Sequence, residues 1–133
     1  FKALWNEDVS SLSELISDLL FETISYHDYA ESFYHAFLAG LFTNAGYIVE
    51  SNYESGLGRP DLVIKDKKKR QAVIIEIKIA DSMQSLQKSA EKAMDQIEDM
   101  RYTDGIFAQG YQKVIKYGAA FYRKNCLISK SEV

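Results

Sequence analysis

The sequence has 133 residues, enough for one hydrophobic core but not for two, so a single domain over 1–133 is expected. A hydrophobic fraction of 47% with one proline excludes a disordered chain, and a net charge of −3 gives no overall attraction to a polyanion. No apolar run approaches the roughly 20 residues that span a bilayer, and the single cysteine, Cys126, excludes an internal disulfide. We therefore expect a cytoplasmic protein without membrane contact, and the start at Phe1 suggests a fragment of a longer chain.

Two helices are predicted in the first third of the sequence. Apolar residues recur at helical spacing over 9–25, so residues 1–25 are expected to form a helical N-terminal extension. A break at 26–28 precedes a second helix that runs to about Ala45, where Gly46 suits a left-handed C-terminal cap. Apolar side chains surround the second helix almost completely, which predicts a buried helix.

Three strands are predicted next. Residues 47–53 alternate between apolar and polar, and the turn-rich segment 54–60 follows them. A short apolar strand over 61–65 is separated by the charged turn 66–71 from a longer strand over 72–80. The last two strands are expected to form a hairpin.

The C-terminal half predicts the rest of an α/β fold. A third helix is expected over 82–101, with a helical turn at 104–109. Strands are expected over 113–122 and 126–129, joined at 124–125. This order implies an α/β sandwich with one central mixed sheet flanked by helices and a parallel crossover near the third helix.

Charged residues in the central strands indicate a metal site. Glu76 and Lys78 lie two residues apart and therefore share one face of the longer strand, where partly buried charges need a partner. Asp61 opens the preceding strand after Pro60 and can meet Glu76 if the two strands pair. Two carboxylates, with the Ile77 carbonyl as a further ligand, favour Mg²⁺ or Mn²⁺. Such an ion can polarise a phosphodiester oxygen and activate water that Lys78 orients, which predicts hydrolysis of a nucleic-acid backbone.

The same residues resemble a known motif. The sequence PD at 60–61, followed by fourteen residues and then EIK at 76–78, resembles the defining motif of the PD-(D/E)XK nuclease superfamily. The strings SNYESGLGRPDLVI, AVIIEIKIA and KYGAAFY resemble one branch, the mostly bacterial nuclease-like domain at the C-terminus of AAA-ATPase-like proteins. This resemblance covers 29–127. It implies a restriction-endonuclease-like three-layer sandwich, DNA as the substrate, Mg²⁺ or Mn²⁺ as the cofactor, and an N-terminal ATPase domain in the full-length chain.

The resemblance also implies roles for residues on the helices. Superfamily members commonly carry a glutamate on the helix before the first strand, and Glu31 matches that place, with His35 on the same helical face. Exonuclease-like members carry a glutamine and a downstream tyrosine on the helix after the lysine strand, and Gln96 resembles the first of these. Tyr102 is farther away than the Gln-x-x-x-Tyr pattern requires. Gln96 also interrupts the apolar stripe of its helix, so it needs a polar partner.

Other interpretations of these residues stay open at this stage. The charged strand residues could form a structural salt-bridge network in a noncatalytic binding or regulatory module of an AAA-ATPase-like protein. Glu31 could serve the helix dipole, His35 could be hydrogen-bonded in the core, and Gln96 could be a satisfied core amide. The glycines and arginine of 56–59 could shape a substrate loop or only a turn, and the basic turn at 67–70 is more simply solvated. A homodimer is a further possibility, because two sites can cut two strands.

Overall fold

The computed structural model describes residues 1–23, 30–51 and 60–130, which form a mixed sheet with helices on both faces. The elements are α1 (Lys2–Trp5), α2 (Val9–Thr23), α3 (Glu31–Asn44), β1 (Ile48–Ser51), β2 (Leu62–Asp66), β3 (Gln71–Ile79), a 3-10 turn (Met83–Ser85), α4 (Leu86–Met100), α5 (Tyr102–Ala108), β4 (Lys113–Tyr122) and β5 (Asn125–Lys130). No helix within these ranges has the length and apolar character required to cross a membrane.

The sheet has five strands in the order β1-β2-β3-β4-β5. β2 pairs antiparallel with both β1 and β3, β3 pairs parallel with β4, and β4 pairs antiparallel with β5. A parallel pair needs a long crossover connection, and α4 and α5 supply it. This arrangement confirms the predicted α/β sandwich with a central mixed sheet.

The two faces of the central strand β3 enter different parts of the core. Val73, Ile75 and Ile77 pack in the larger apolar cluster, which also contains the buried residues of α1, α2 and α3. Ala72 and Ile74 pack in a second cluster with the buried residues of α4 and α5. Because both faces are covered, β3 is almost continuously apolar, and Glu76 near its end is buried.

Gly118 of β4 lets α4 approach the sheet closely. A Cβ at this position would lie 2.2 Å from the Ala90 carbonyl oxygen and 2.9 Å from the Met94 backbone nitrogen. Both distances are far below van der Waals contact, so only glycine fits without movement of the helix. The absent side chain therefore sets the height of α4 above the sheet.

Helix α2 covers the outer edge of β5. The Cys126 and Ile128 N–H groups donate to the Ser17 and Ser13 hydroxyls at 2.9 and 2.8 Å. An open strand edge is a template for unwanted pairing, and these hydroxyls occupy two of its donors. The predicted N-terminal helical extension thus packs directly against the sheet.

Several local predictions differ from the structure. The second helix, α3, was predicted to be buried all round, and this is wrong: Tyr34, Leu38 and Phe42 are buried, but Ala36 and Gly40 are exposed. The reason is that α3 lies on one face of the sheet, so only one side of the helix meets the core. Gly46 has the predicted left-handed conformation, with φ 92°.

Other differences concern element boundaries. The short helix α1 was not predicted, and β5 begins at Asn125, where the sequence predicted part of the turn. The predicted break at 26–28, the end of the 47–53 strand and the glycine-containing segment 56–59 lie outside the described residues.

Candidate metal-binding active site

The site begins where β2 starts beside β3. Leu62 is the first residue of β2 and pairs with Ile75, so Asp61 lies one position before the ladder, beside Glu76. The Asp61 N–H donates to Glu76 Oε1 at 2.8 Å, and the Ile77 N–H donates to Asp61 Oδ2 at 2.8 Å. The Asp61 carboxylate therefore accepts a hydrogen bond from β3 just beyond the end of the β2–β3 ladder. The two bonds hold the Asp61 and Glu76 carboxylates next to each other.

The neighbouring groups on β3 follow from strand geometry. The N–H and C=O of one strand residue face the same neighbouring strand. Since the Ile77 N–H points to Asp61, the Ile77 carbonyl lies on that side as well, beyond the start of β2. Lys78 is two residues after Glu76 and shares its face, and its charge lowers the Glu76 pKa. Two carboxylates, one carbonyl and one ammonium therefore lie at this end of β3.

Helix α3 brings two further groups to the Asp61 carboxylate. His35 Nε2 lies 3.6 Å from Asp61 Oδ1 and 3.8 Å from Glu31 Oε1. The His35 side chain is 3% exposed, whereas that of Glu31 is 43% exposed. One ligand atom from each of these three residues lies within 4.8 Å of the others, so together they could hold a metal ion. Glu31 and His35 are four residues apart, which places them on one face of α3.

Glu76 is the most perturbed acid of the site. It is 1% exposed, and burial raises its pKa from 4.5 to about 7, with the charge of Asp61 as the second cause. The charge of Glu31 raises this pKa too, while the Asp61 N–H and the Lys78 charge lower it. Three carboxylates thus repel one another at one point, and their mutual repulsion is relieved by a bound cation or a proton.

Gln96 and Tyr102 lie near each other, and Tyr102 is within electrostatic range of the carboxylates. Gln96 is half-buried on α4, close enough to the Tyr102 side chain to affect its pKa. Burial raises the Tyr102 pKa, and the charges of Glu76 and Asp61 raise it further. Arg101 has a left-handed backbone, φ 52°, which ends α4 and turns the chain so that Tyr102 returns to Gln96. The longer spacing from glutamine to tyrosine therefore does not keep the two side chains apart.

The donor set fits a divalent cation. Carboxylate and carbonyl oxygens are the ligands of Mg²⁺ and Mn²⁺, and they predominate here. Asp61, Glu76 and the Ile77 carbonyl form the predicted ligand group, and the structure adds Glu31 and His35 on the side of α3. An imidazole nitrogen is a softer ligand than a carboxylate, so its presence favours Mn²⁺ over Mg²⁺.

The sequence predicted most of these groups. The positions of the remaining two, His35 and Tyr102, depend on tertiary contacts. The sequence predicts only that His35 shares a helical face with Glu31, and it places Tyr102 farther from Gln96 than the Gln-x-x-x-Tyr pattern requires. In both cases the deciding fact is tertiary: α3 lies against the start of β2, and Arg101 reverses the chain after α4. The i, i+4 spacing of Glu31 and His35 was the one local indication of a shared site.

Comparison with known proteins agrees with this geometry. A family model described as the PD-(D/E)XK nuclease superfamily matches residues 29–131. Searches of curated proteins and of solved structures gave no significant match. The match covers most of the chain and includes every side chain of the site described above. The chain belongs to the PD-(D/E)XK nuclease superfamily.

Proposed function

We propose that this chain is a metal-dependent nuclease domain that hydrolyses phosphodiester bonds in DNA, with Mg²⁺ or Mn²⁺ as its cofactor. The observation that carries the proposal is the pair of hydrogen bonds that fix Asp61 against Glu76 and Ile77. These bonds hold the two motif carboxylates in place before any ligand arrives. Such preorganisation is what a hydrolytic metal site requires.

Each residue has a role in this proposal. Asp61 and Glu76 hold the cation together with the Ile77 carbonyl, and Glu31 and His35 support it from α3. The bound cation supplies charge that polarises a phosphodiester oxygen and makes water a better nucleophile. Lys78, next to Glu76, orients the attacking water and stabilises the negative charge that develops on the phosphate.

Gln96 completes the site from the side of α4. Its amide lies near Tyr102, whose pKa also responds to the charges of Glu76 and Asp61. An amide can accept and donate at once, which suits contact with a sugar or a phosphate oxygen. We assign Gln96 to positioning of the nucleic-acid strand.

Cleavage by purified protein tests the proposal. Labelled duplex DNA, single-stranded DNA and RNA are incubated with Mg²⁺ or Mn²⁺, and wild type is compared with Asp61→Asn, Glu76→Gln and Lys78→Met. We expect cleavage by wild type and a loss of about 100-fold or more in each variant, because Asp61→Asn and Glu76→Gln weaken binding of the cation and Lys78→Met removes the charge that acts on the reacting phosphate. Lys68→Gln serves as the matched control, since Lys68 is an exposed cation on a distant turn. Full cleavage by Glu76→Gln in preparations free of other nucleases contradicts the assignment.

A second candidate is a noncatalytic binding or regulatory module of an AAA-ATPase-like protein. It is favoured by the same hydrogen bonds, because one oxygen of each carboxylate already accepts a backbone N–H and so contributes to the fold. Calorimetric titration with Mn²⁺ distinguishes the two candidates. Binding by wild type that Asp61→Asn loses supports the nuclease, whereas no binding by either protein supports the module.

A further inference from the structure

A basic cavity lies at the other end of the central strands. It has a volume of about 240 Å³ and is lined by Lys67, Arg70, Gln109, Gly110 and Tyr111. The β2–β3 hairpin supplies the first two residues, and the connection from α5 to β4 supplies the other three. Along β3, the five residue steps from Gln71 to Glu76 span about 17 Å at ~3.3 Å each, so this cavity is separate from the carboxylate site.

The cavity walls are fixed by contacts beneath and between them. Lys65, 6% exposed, donates to Gln109 Oε1 and Glu50 Oε2 at 2.8 Å each. Its ammonium group also lies 5.6 Å from the centre of the Tyr111 ring. The Arg70 carbonyl accepts the Gln112 N–H at 2.7 Å, which joins the hairpin to the α5–β4 connection. The cavity is therefore formed before a ligand binds.

Its cations are not committed to acidic side chains. Within the described part of the chain, no carboxylate lies at ion-pair distance from Lys67 or Arg70. The nearby acids have other partners. Asp66 accepts hydrogen bonds from the Lys69 N–H and the Gln71 side-chain amide, and Glu50 accepts one from the Lys65 ammonium group. Two uncommitted cations on a fixed surface form an anion-binding arrangement.

The arrangement also explains how an acidic chain can bind a polyanion. The net charge is −3, and the carboxylate site itself repels phosphate until a cation is bound. Five of the six residues over 65–70 are Lys or Arg, so attraction is concentrated at this end of the sheet. A volume of about 240 Å³ is below the roughly 300–1,000 Å³ of pockets that enclose a small molecule. It suits one phosphate group of a longer ligand.

We propose that this cavity binds a backbone phosphate of the nucleic acid, away from the phosphate that is cleaved. The inference rests on the proposed nuclease function, which it deepens by naming where the substrate is held. Lys67 and Arg70 supply the charge, and the Gly110 backbone permits close approach because glycine has no side chain to cover the cavity. The contact is independent of base sequence, because phosphates carry no sequence information.

Binding without cleavage tests this inference. Anisotropy of a labelled 20-base-pair duplex is measured in EDTA from about 50 to 200 mM NaCl. The variant Lys67→Gln/Arg70→Gln is compared with Lys68→Gln/Lys69→Gln, which removes the same charge from the same turn but leaves the cavity lining intact. Thermal melts check that both variants fold, as expected from the exposure of all four side chains.

We expect the cavity variant to bind about tenfold more weakly than wild type and to reduce the slope of log K against log salt by about 0.9, the contribution of one phosphate contact. The control pair should stay within about twofold of wild type. Equal losses in both pairs would show a diffuse field and overturn the inference, as would no loss in either or no duplex binding by wild type.

The result of this binding experiment can be distinguished from the result of the cleavage test of the nuclease proposal. Weaker binding by the cavity variant, with no cleavage by wild type in Mn²⁺, supports the phosphate site and rejects the nuclease. A titration with inorganic phosphate, followed by the Gly110 and Tyr111 amide signals, adds a second arm. Phosphate that perturbs these signals while the cavity variant binds duplex normally would indicate a small-anion site and overturn the inference.

Discussion

Replacement of Gly118 by alanine tests the close packing of α4 on β4. The new methyl group would lie 2.2 Å from the Ala90 carbonyl oxygen, where ordinary contact begins at 3.4 Å, so about 1.2 Å of separation must be gained. The 2.9 Å contact is to the Met94 nitrogen, which is also backbone, and backbone atoms cannot rotate out of the way. The helix must therefore move as a body. Overpacking of this kind costs ~1–3 kcal/mol and sometimes more, and we expect about 3 kcal/mol here.

Urea unfolding followed by circular dichroism measures this cost. Gly105→Ala is the matched control, because Gly105 lies within α5 and a Cβ there meets nothing within 4 Å. Alanine in a helix interior is favoured over glycine by ~0.5–1 kcal/mol, so the control should be more stable than wild type. A Gly118→Ala protein as stable as wild type would refute the close packing of α4 on β4. Any effect of Gly118→Ala on cleavage or metal binding is expected to come from displacement of α4. Loss of either activity at unchanged stability would therefore also contradict this explanation.

Two further predictions concern the acid at the site and the covered strand edge. Without metal, folding raises the Glu76 pKa from 4.5 to about 7, so the protonated form is favoured. The contribution of Glu76 to stability is therefore greatest below pH 4.5 and is lost as the pH rises through about 7. Relative to Glu76→Gln, wild type should lose up to ~3 kcal/mol between pH 4.5 and 7.5, measured by urea unfolding in EDTA, and a constant difference across this range would contradict it. Ser13→Ala leaves the Ile128 N–H without its acceptor and should lower the free energy of unfolding by ~1–3 kcal/mol. The exposed Ser10→Ala is its control, and equal effects of both would contradict the role of α2 at this edge.

The fold was predictable wherever one local rule decided an element. β4 covers Lys113–Tyr122, the same bounds as predicted, because a run of β-branched and aromatic residues lies between turn residues. The left-handed φ of Gly46 followed from its place after a helix. The burial of α3 was predicted wrongly, since an apolar composition does not tell how much of a helix the sheet can cover.

The candidate site was predictable in part for the same reason. Strand alternation puts Glu76 and Lys78 on one face, and the pairing of β2 with β3 brings Asp61 to Glu76. The approach of His35 to Asp61 depends on how α3 packs, and that of Tyr102 to Gln96 depends on a left-handed backbone at an arginine, which no sequence pattern indicates. The sequence therefore did not predict the contacts between segments that are distant along the chain.

The basic cavity at the opposite end of β3 also depends on contacts that the sequence does not show. A solvated lysine-rich turn was the simplest interpretation of 67–70, because the sequence does not show that Arg70 has a left-handed φ of 52° or that its carbonyl joins the α5–β4 connection. With that junction in place, cations lie at one end of β3 and carboxylates at the other. A net charge of −3 therefore says little about how this chain meets a polyanion. If the chain binds nucleic acid as we propose, this separation would orient the ligand: the basic end would hold one backbone phosphate, and the acidic end would accept another only with a cation bound.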